Sequence, residues 1–191
     1  MIKPNREKGI EAAKELIHIG LGLPNNEAFK DTPRRMYDAL AQFCYGHYNG
    51  GEKEIEELAK VKFDSDYERM VVLRPIEVFG VCSHHLFPIS YKIAFGYLPN
   101  KKVIGLSKIP EIIKILAAKP HAQEDFTEDI VNTFKKLLEP KGLGVIVYGW
   151  HDCITTRKGR DFATITSAMA GAFHTDAETR SEFLELANMK L

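Results

Sequence analysis

Cysteine, net charge and long apolar runs are what this sequence has least of. Three cysteines in 191 residues cannot build a disulfide framework, and no stretch reaches the roughly 18 apolar residues of a membrane-spanning helix. Lys+Arg and Asp+Glu both number 26. That balance excludes the basic footprint of a general nucleic-acid binder, while a local basic pocket stays compatible with it. The N-terminal "MIKPNREKGIEAAKEL" places charges where a secretory signal needs an apolar core. A cytoplasmic location is expected, with neither a membrane nor a nucleic acid as partner. Internal repeats and low-complexity tracts are absent. The length suits one domain with a sizeable core, or a domain plus a helical extension.

The three thiols are then free groups or metal ligands. Cys44, in "AQFCYG", sits in an apolar helical pattern and reads as a small buried hydrophobe. Along the chain, "REKGIEAAKELIHIGLGL" puts Ile10, Ala13, Leu16 and Ile17 on one helical face. "DTPRRMYDALAQFCYG" predicts a second helix, with Thr32 as N-cap, Pro33 in its first turn and Gly46 near its end. These make residues 1–50 an N-terminal helical region, and 51–191 one further functional unit opened by a polar connector.

The pattern then changes. "RMVVLRPIEVFGV" reads as extended, Pro75 marking an edge or a bulge. In "ISYKIAFGYLP", Ile89, Tyr91, Ile93, Phe95 and Tyr97 share one face of a strand. "VIGLS" feeds a helix with Ile109, Ile112, Ile113 and Leu116 inward, and a second helix runs from about Phe126 to Leu138. "GLGVIVYGWHDCITT" and "FATITSAMAG" read as closing strands. The fold class is α+β, a largely antiparallel sheet backed by a helix pair.

"GVCSHHLFPIS" and "YGWHDCIT" concentrate the metal-binding chemistry. Cys82 and His85, separated by two residues, can be aimed at one ion by a tight turn, and Cys153 can add a third ligand. His151, two before Cys153, faces the same cavity if both lie on a strand. Two thiolates and one imidazole leave a zinc position for water, whose pKa then falls towards about 7. Spare imidazoles beside it suit proton transfer. That set describes a hydrolase. A closed structural site with His84 or His151 as fourth ligand, or two unrelated histidines at a strand end, also fits the spacing.

With "DTPRRM", "VCSHHLFPIS", "GYLPNKKVIGLSKI", "AQEDFTEDI" and "HDCITTR" in this order, the chain resembles the GTP cyclohydrolase I family from about residue 5 to residue 180. The resemblance implies a tunnelling fold assembled into rings, typically a homodecamer of two face-to-face pentamers, with active sites between subunits. It also implies zinc (Zn2+) and attack of water on C8 of GTP. The products would be formate and 7,8-dihydroneopterin triphosphate, which feeds folate and biopterin-type cofactors. By position, Cys82, His85 and Cys153 match the zinc ligands and His84 and His151 the acid/base pair. Gln123 and Glu124 match the guanine-recognition pair, a carboxylate suiting the adjacent donors N1–H and 2-amino. Ser107 and Lys108 open a helix whose free N–H groups suit phosphate, and Arg157 and Arg35 match further phosphate-side cations.

The pattern is broken in places. Ser83 stands where the family usually has Glu, and a small deletion follows Arg157. Asp38 and Glu111 stand where it has basic residues on the triphosphate side. Unit charges about 6 Å apart at an effective dielectric of about 20 interact by roughly 3 kcal/mol, so two such reversals weigh heavily against a highly charged ligand. Lys158 and Arg160 are candidate replacements. Three readings result: a GTP cyclohydrolase with a rebuilt phosphate clamp, a relative acting on a less phosphorylated guanine nucleotide or another purine, or a non-catalytic pterin- or nucleotide-binding ring.

Overall fold

The computed structural model describes residues 4–48, 51–159 and 162–189. Helix α1, Arg6–Glu15, is capped by the Asn5 side chain, which accepts from the Lys8 N–H at 3.0 Å. It continues into a π-helical turn, Leu16–Gly20. That turn changes the periodicity: Ala13 and Ile17 are buried, but Leu16, expected on the same face, is exposed. Helix α2 spans Thr32–Phe43 with Pro33 in its first turn. Its N-cap is Asp31 rather than Thr32, which is already helical. Short α3, Tyr45–Tyr48, meets the rest of the chain through the Gly46 N–H, which donates to Ala118 O at 2.7 Å. Helix α4, Gly51–Leu58, occupies the polar connector, and Cys44 is only half-buried.

Strand β1, Lys62–Asp64, pairs with β4, Lys102–Ile104, in a small ribbon. The main sheet contains β2, Val71–Cys82, β3, Pro88–Leu98, β5, Pro120–His121, β6, Gly142–His151, and β7, Ala163–Gly171, in the order β5-β2-β3-β6-β7. All neighbours are antiparallel except β5, which runs parallel to β2 at Val81↔Pro120 and Cys82↔His121. As expected of Pro75, the β2–β3 register shifts between Leu73 and Ile76, because proline offers no N–H to the ladder.

Helices α5, Lys108–Ala117, and α6, Gln123–Leu138, cover one face. Ile89, Tyr91, Ile93, Phe95 and Tyr97 meet Ile109, Ile112, Ile113, Phe126, Ile130 and Phe134 there in one core. Helix α6 begins three residues earlier than its apolar pattern shows, and this places Gln123 and Glu124 in its first turn. The other face of the sheet is covered by α8, Ala172–Thr175, and α9, Ala177–Asn188, which no apolar stripe had marked. A readable signal was the Asp176 cap, which accepts from the Thr179 N–H at 2.8 Å. Phe173 and Phe183 press onto Gly96 and Gly144, where a Cβ would meet their rings at 2.6–3.0 Å. A helix α7, Asp152–Lys158, replaces the end of the expected strand. The α+β class and the sheet with its helix pair are as expected of a tunnelling-fold subunit.

Candidate metal centre and active site

The β2–β3 hairpin makes the first half of the site. The Cys82 N–H donates to Phe87 O at 2.9 Å, and the Leu86 N–H donates to Cys82 O at 2.9 Å. Leu86 takes a left-handed φ of 54°. This closure curls Ser83, His84 and His85 back over the strand end, so that Cys82 Sγ lies 3.8 Å from both His84 Nδ1 and His85 Nδ1. The second half arrives through the β3–β6 ladder, whose last pair is Ile89↔His151. His151 ends β6, and Cys153 is buried as the second residue of α7. The two are therefore not two apart on a strand, as the sequence suggested. The chain turns into a helix between them, and this swings the thiol towards Cys82.

The ligand atoms of Cys82, His85 and Cys153 all lie within 4.8 Å of one another. Around a tetrahedral zinc, bond lengths of about 2.3 Å to sulfur and 2.0 Å to nitrogen put neighbouring donors roughly 3.5–3.8 Å apart, so the trio fits such an ion. Its electrostatics agree. Burial raises the Cys153 thiol pKa, and its hydrogen bond and charge interaction with Cys82 raise it further, opposed by Arg157 one helical turn on. A thiol raised in this way resists ionising unless a cation binds it, so Cys153 suits a metal ligand. No fourth His, Cys, Asp or Glu joins the cluster among the described residues.

Strand β5 brings the N-terminus of α6 alongside Cys82, and the Ser83 N–H donates to His121 O at 3.4 Å. Gln123 is buried, with its Oε1 2.9 Å from His151 Nε2. Glu124 is exposed. Burial lowers the His151 pKa, partly offset by the negative charge of Glu124.

The phosphate-side residues are more scattered. Ser107 is the N-cap residue of α5, and Lys108 follows with its ammonium 3.0 Å from both Glu111 oxygens. Arg35 on α2 pairs with Asp31 at 3.5 Å. Asp38 accepts a bidentate pair of hydrogen bonds from Arg6 at 2.9 Å, with Arg34 at 3.6 Å. Arg157 and Lys158 are exposed on α7, and Arg160 lies outside the described residues. No hydrogen bond or ion pair joins Arg35, Ser107 or Lys108 to the Cys/His trio among the described residues. A cavity of about 610 Å³ opens instead between α2, α4 and α5, lined by Asp38, Glu54, Leu58, Glu111 and Ile115. His84 and His85 stand exposed at the sheet end.

The fold and this cluster define an α+β subunit carrying two thiols and an imidazole able to hold a metal ion beside two further imidazoles. Residues 10–188 match the family model of GTP cyclohydrolase I. GTP cyclohydrolase 1 of Campylobacter curvus (strain 525.92) is 40% identical over 167 residues, 86% of each chain. GTP cyclohydrolase 1 of Drosophila melanogaster is 37% identical over 175 residues, 90% of this chain and 53% of the fly protein. Among solved structures, the apo form of the archaeosine synthase QueF-Like is a distant likeness, with TM-score 0.39 and 14% identity over 55% of this chain and 95% of its own. The chain belongs to the GTP cyclohydrolase I family and is a hydrolase of that class. No helix among the described residues is long and apolar enough to cross a membrane.

One residue that sequence reasoning passed over is His121. It is 5% exposed, shares a hydrogen bond of 3.1 Å with Tyr91 and stacks on Phe126. Burial, with the Lys119 charge, lowers its pKa to about 4, against about 6.5 in the unfolded chain. Between those values the unfolded chain binds a proton that the folded chain refuses. Stability therefore rises with pH across this window and falls on acidification, by about 3 kcal/mol in all. Urea unfolding at pH 7 and pH 4.5 should show a loss about 2 kcal/mol smaller in His121→Phe than in the wild type. Equal losses in both proteins rule His121 out as the source.

Proposed function

We propose that this protein opens the imidazole ring of a guanine nucleotide, GTP first, releasing C8 as formate and leaving 7,8-dihydroneopterin triphosphate. The observation that carries the reading is the Cys82, His85 and Cys153 donor set within 4.8 Å, with two imidazoles beside it and no fourth ligand among the described residues. Zn2+ held there supplies Lewis acidity and a water that ionises near neutral pH. His84 and His151 hold and move protons, because the ring nitrogens must be protonated as their bonds to C8 break. Glu124 accepts from guanine N1–H and the 2-amino group. Ser107, Lys108, Arg157, Lys158 and Arg35 bind the phosphates. Replacing Cys153 with Ser should remove the metal, expected at one zinc per chain in the wild type, and cut formate release from GTP roughly 100-fold or more. A metal-loaded wild type that releases formate from neither GTP, GMP nor guanosine would leave only a binding ring.

One observation favours a variant of this reading. Lys108 is already held by Glu111, and Asp38 by Arg6, so the triphosphate end presents less free positive charge than the family pattern. In this variant the preferred substrate carries fewer phosphates. Glu111→Arg should raise kcat/KM for GTP roughly tenfold while leaving guanosine nearly unchanged, given the exposure and screening of this position. A wild-type preference for GTP over GMP and guanosine that weakens steeply with salt would exclude the variant.

The working form is proposed to be a homo-oligomeric ring, a decamer by family resemblance, with sites between subunits. Two features support it. Among the described residues, β2 has no outer partner over residues 71–80, and β7 is the other free edge of the main sheet. Both carry exposed apolar side chains, Phe79 at 64% and Ile165 at 60%, and two complementary edges on one chain generate a closed ring when they pair head to tail. His84 and His85 on the hairpin are also exposed in the single chain, open to a neighbouring subunit. Ile165→Glu should yield smaller species in analytical ultracentrifugation that keep zinc but lose formate release. Full activity from a proven monomer contradicts the shared site.

A further inference from the structure

The Gln123 side chain is engaged inside the fold. Its amide is 2% exposed, with Nε2 lying 3.1 Å from Val147 O, 3.0 Å from Thr164 O and 3.1 Å from Thr166 Oγ1. Carbonyl oxygens only accept, so the NH2 end must face the sheet. Turning the amide over would set oxygen against oxygen. The hydroxyls agree with this direction. Thr127 donates its only hydrogen to Gln123 O at 2.8 Å. Thr166, 2.7 Å from Thr127 Oγ1, must then donate to it, and its lone pair remains to accept from Gln123. The amide oxygen is left pointing at His151 Nε2, 2.9 Å away. An oxygen with no hydrogen can only accept, so the ring nitrogen facing it must carry one.

We propose that Gln123 is a positioning residue that holds the His151 proton on Nε2, leaving Nδ1 as the one basic nitrogen of the neutral ring. This rests on the reading of His151 as a proton carrier. Each turnover then starts with the lone pair on the same atom, and no ring in the other tautomer has to be corrected first. The amide reaches its place because residue 149 is glycine: a Cβ there would sit 2.1 Å from Gln123 Oε1 and 3.0 Å from the Tyr91 ring. Both amide hydrogens are engaged within the fold, so none is left for a base.

The test is 15N NMR of histidine-labelled, zinc-loaded protein at pH 8, with the His151 signals assigned by their loss in His151→Asn. The wild type should show a protonated Nε2 and a bare Nδ1 at His151. Gln123→Leu should mix the tautomers. Gly149→Ala, whose methyl group displaces the amide while leaving Gln123 in the chain, should do the same. Both variants should lower kcat in proportion to the rings left in the competent tautomer, roughly two- to tenfold, with KM within about twofold of the wild type. A wild-type His151 protonated on Nδ1, a tautomer unmoved in both variants, or a raised KM at constant kcat would each overturn the proposal. A wild type that lacks formate release but keeps the Nε2 proton would remove the catalytic reading and leave the tautomer assignment standing.

Discussion

The active-site arrangement depends on the register between β3 and β6. The ladder runs unbroken from Leu98↔Gly142 to Ile89↔His151, and its last pair sets the end of β6 against the root of the Cys82–Phe87 hairpin. Side chains alternate along a strand, so a slip of one residue would turn His151 to the opposite face and carry Cys153 out of reach of Cys82. The buried row Ile89, Tyr91, Ile93, Phe95 and Tyr97 forbids that slip, since it would move large apolar groups from the core to the far side. Core packing under α5 and α6 therefore holds a metal site that contributes little apolar surface of its own.

The same register explains the reach of α6. Because β5 lies parallel to the last residues of β2, the helix after it starts beside Cys82, and its first residue inserts an amide between β6 and β7. Gln123 is thus part of the sheet's hydrogen bonding as well as a neighbour of His151. Glu124, the next residue around the helix, faces outward. One helical step separates a buried amide that meets the His151 ring from an exposed carboxylate.

Charge is distributed differently at the two ends of the site. At Cys153, burial and the neighbouring Cys82 oppose ionisation. Among the residues matched to the phosphate side, Lys108 is paired with Glu111, and Asp38, where the family has a cation, is paired with Arg6 and Arg34. Such exposed pairs contribute little to stability. Their effect is on the potential a polyphosphate would meet. No hydrogen bond or ion pair among the described residues joins the hairpin to Arg35, Ser107 or Lys108, and both sheet edges are open, so completion of the pocket and assembly of the ring are one event in the proposed mechanism.

The α+β class, the β3 core row, the inward isoleucines of α5 and the Cys82, His85 and Cys153 trio could be read from the chain itself. Each rests on short-range regularities: period two in a strand, the three- and four-residue spacing of a helix, a two-residue gap between ligands. The motif order also made the family recognisable. What tertiary structure alone decided was everything that joins distant segments. It put Cys153 on a helix, made Asp31 and not Thr32 the cap of α2, laid α8 and α9 over the second face, and turned the Gln123 amide inward where a solvated or ligand-facing residue was expected. Local sequence carries backbone preference and periodicity. The partner of a buried amide or the register of two strands fifty residues apart is chosen by the packing of the whole sheet, and so becomes visible only once that sheet is formed.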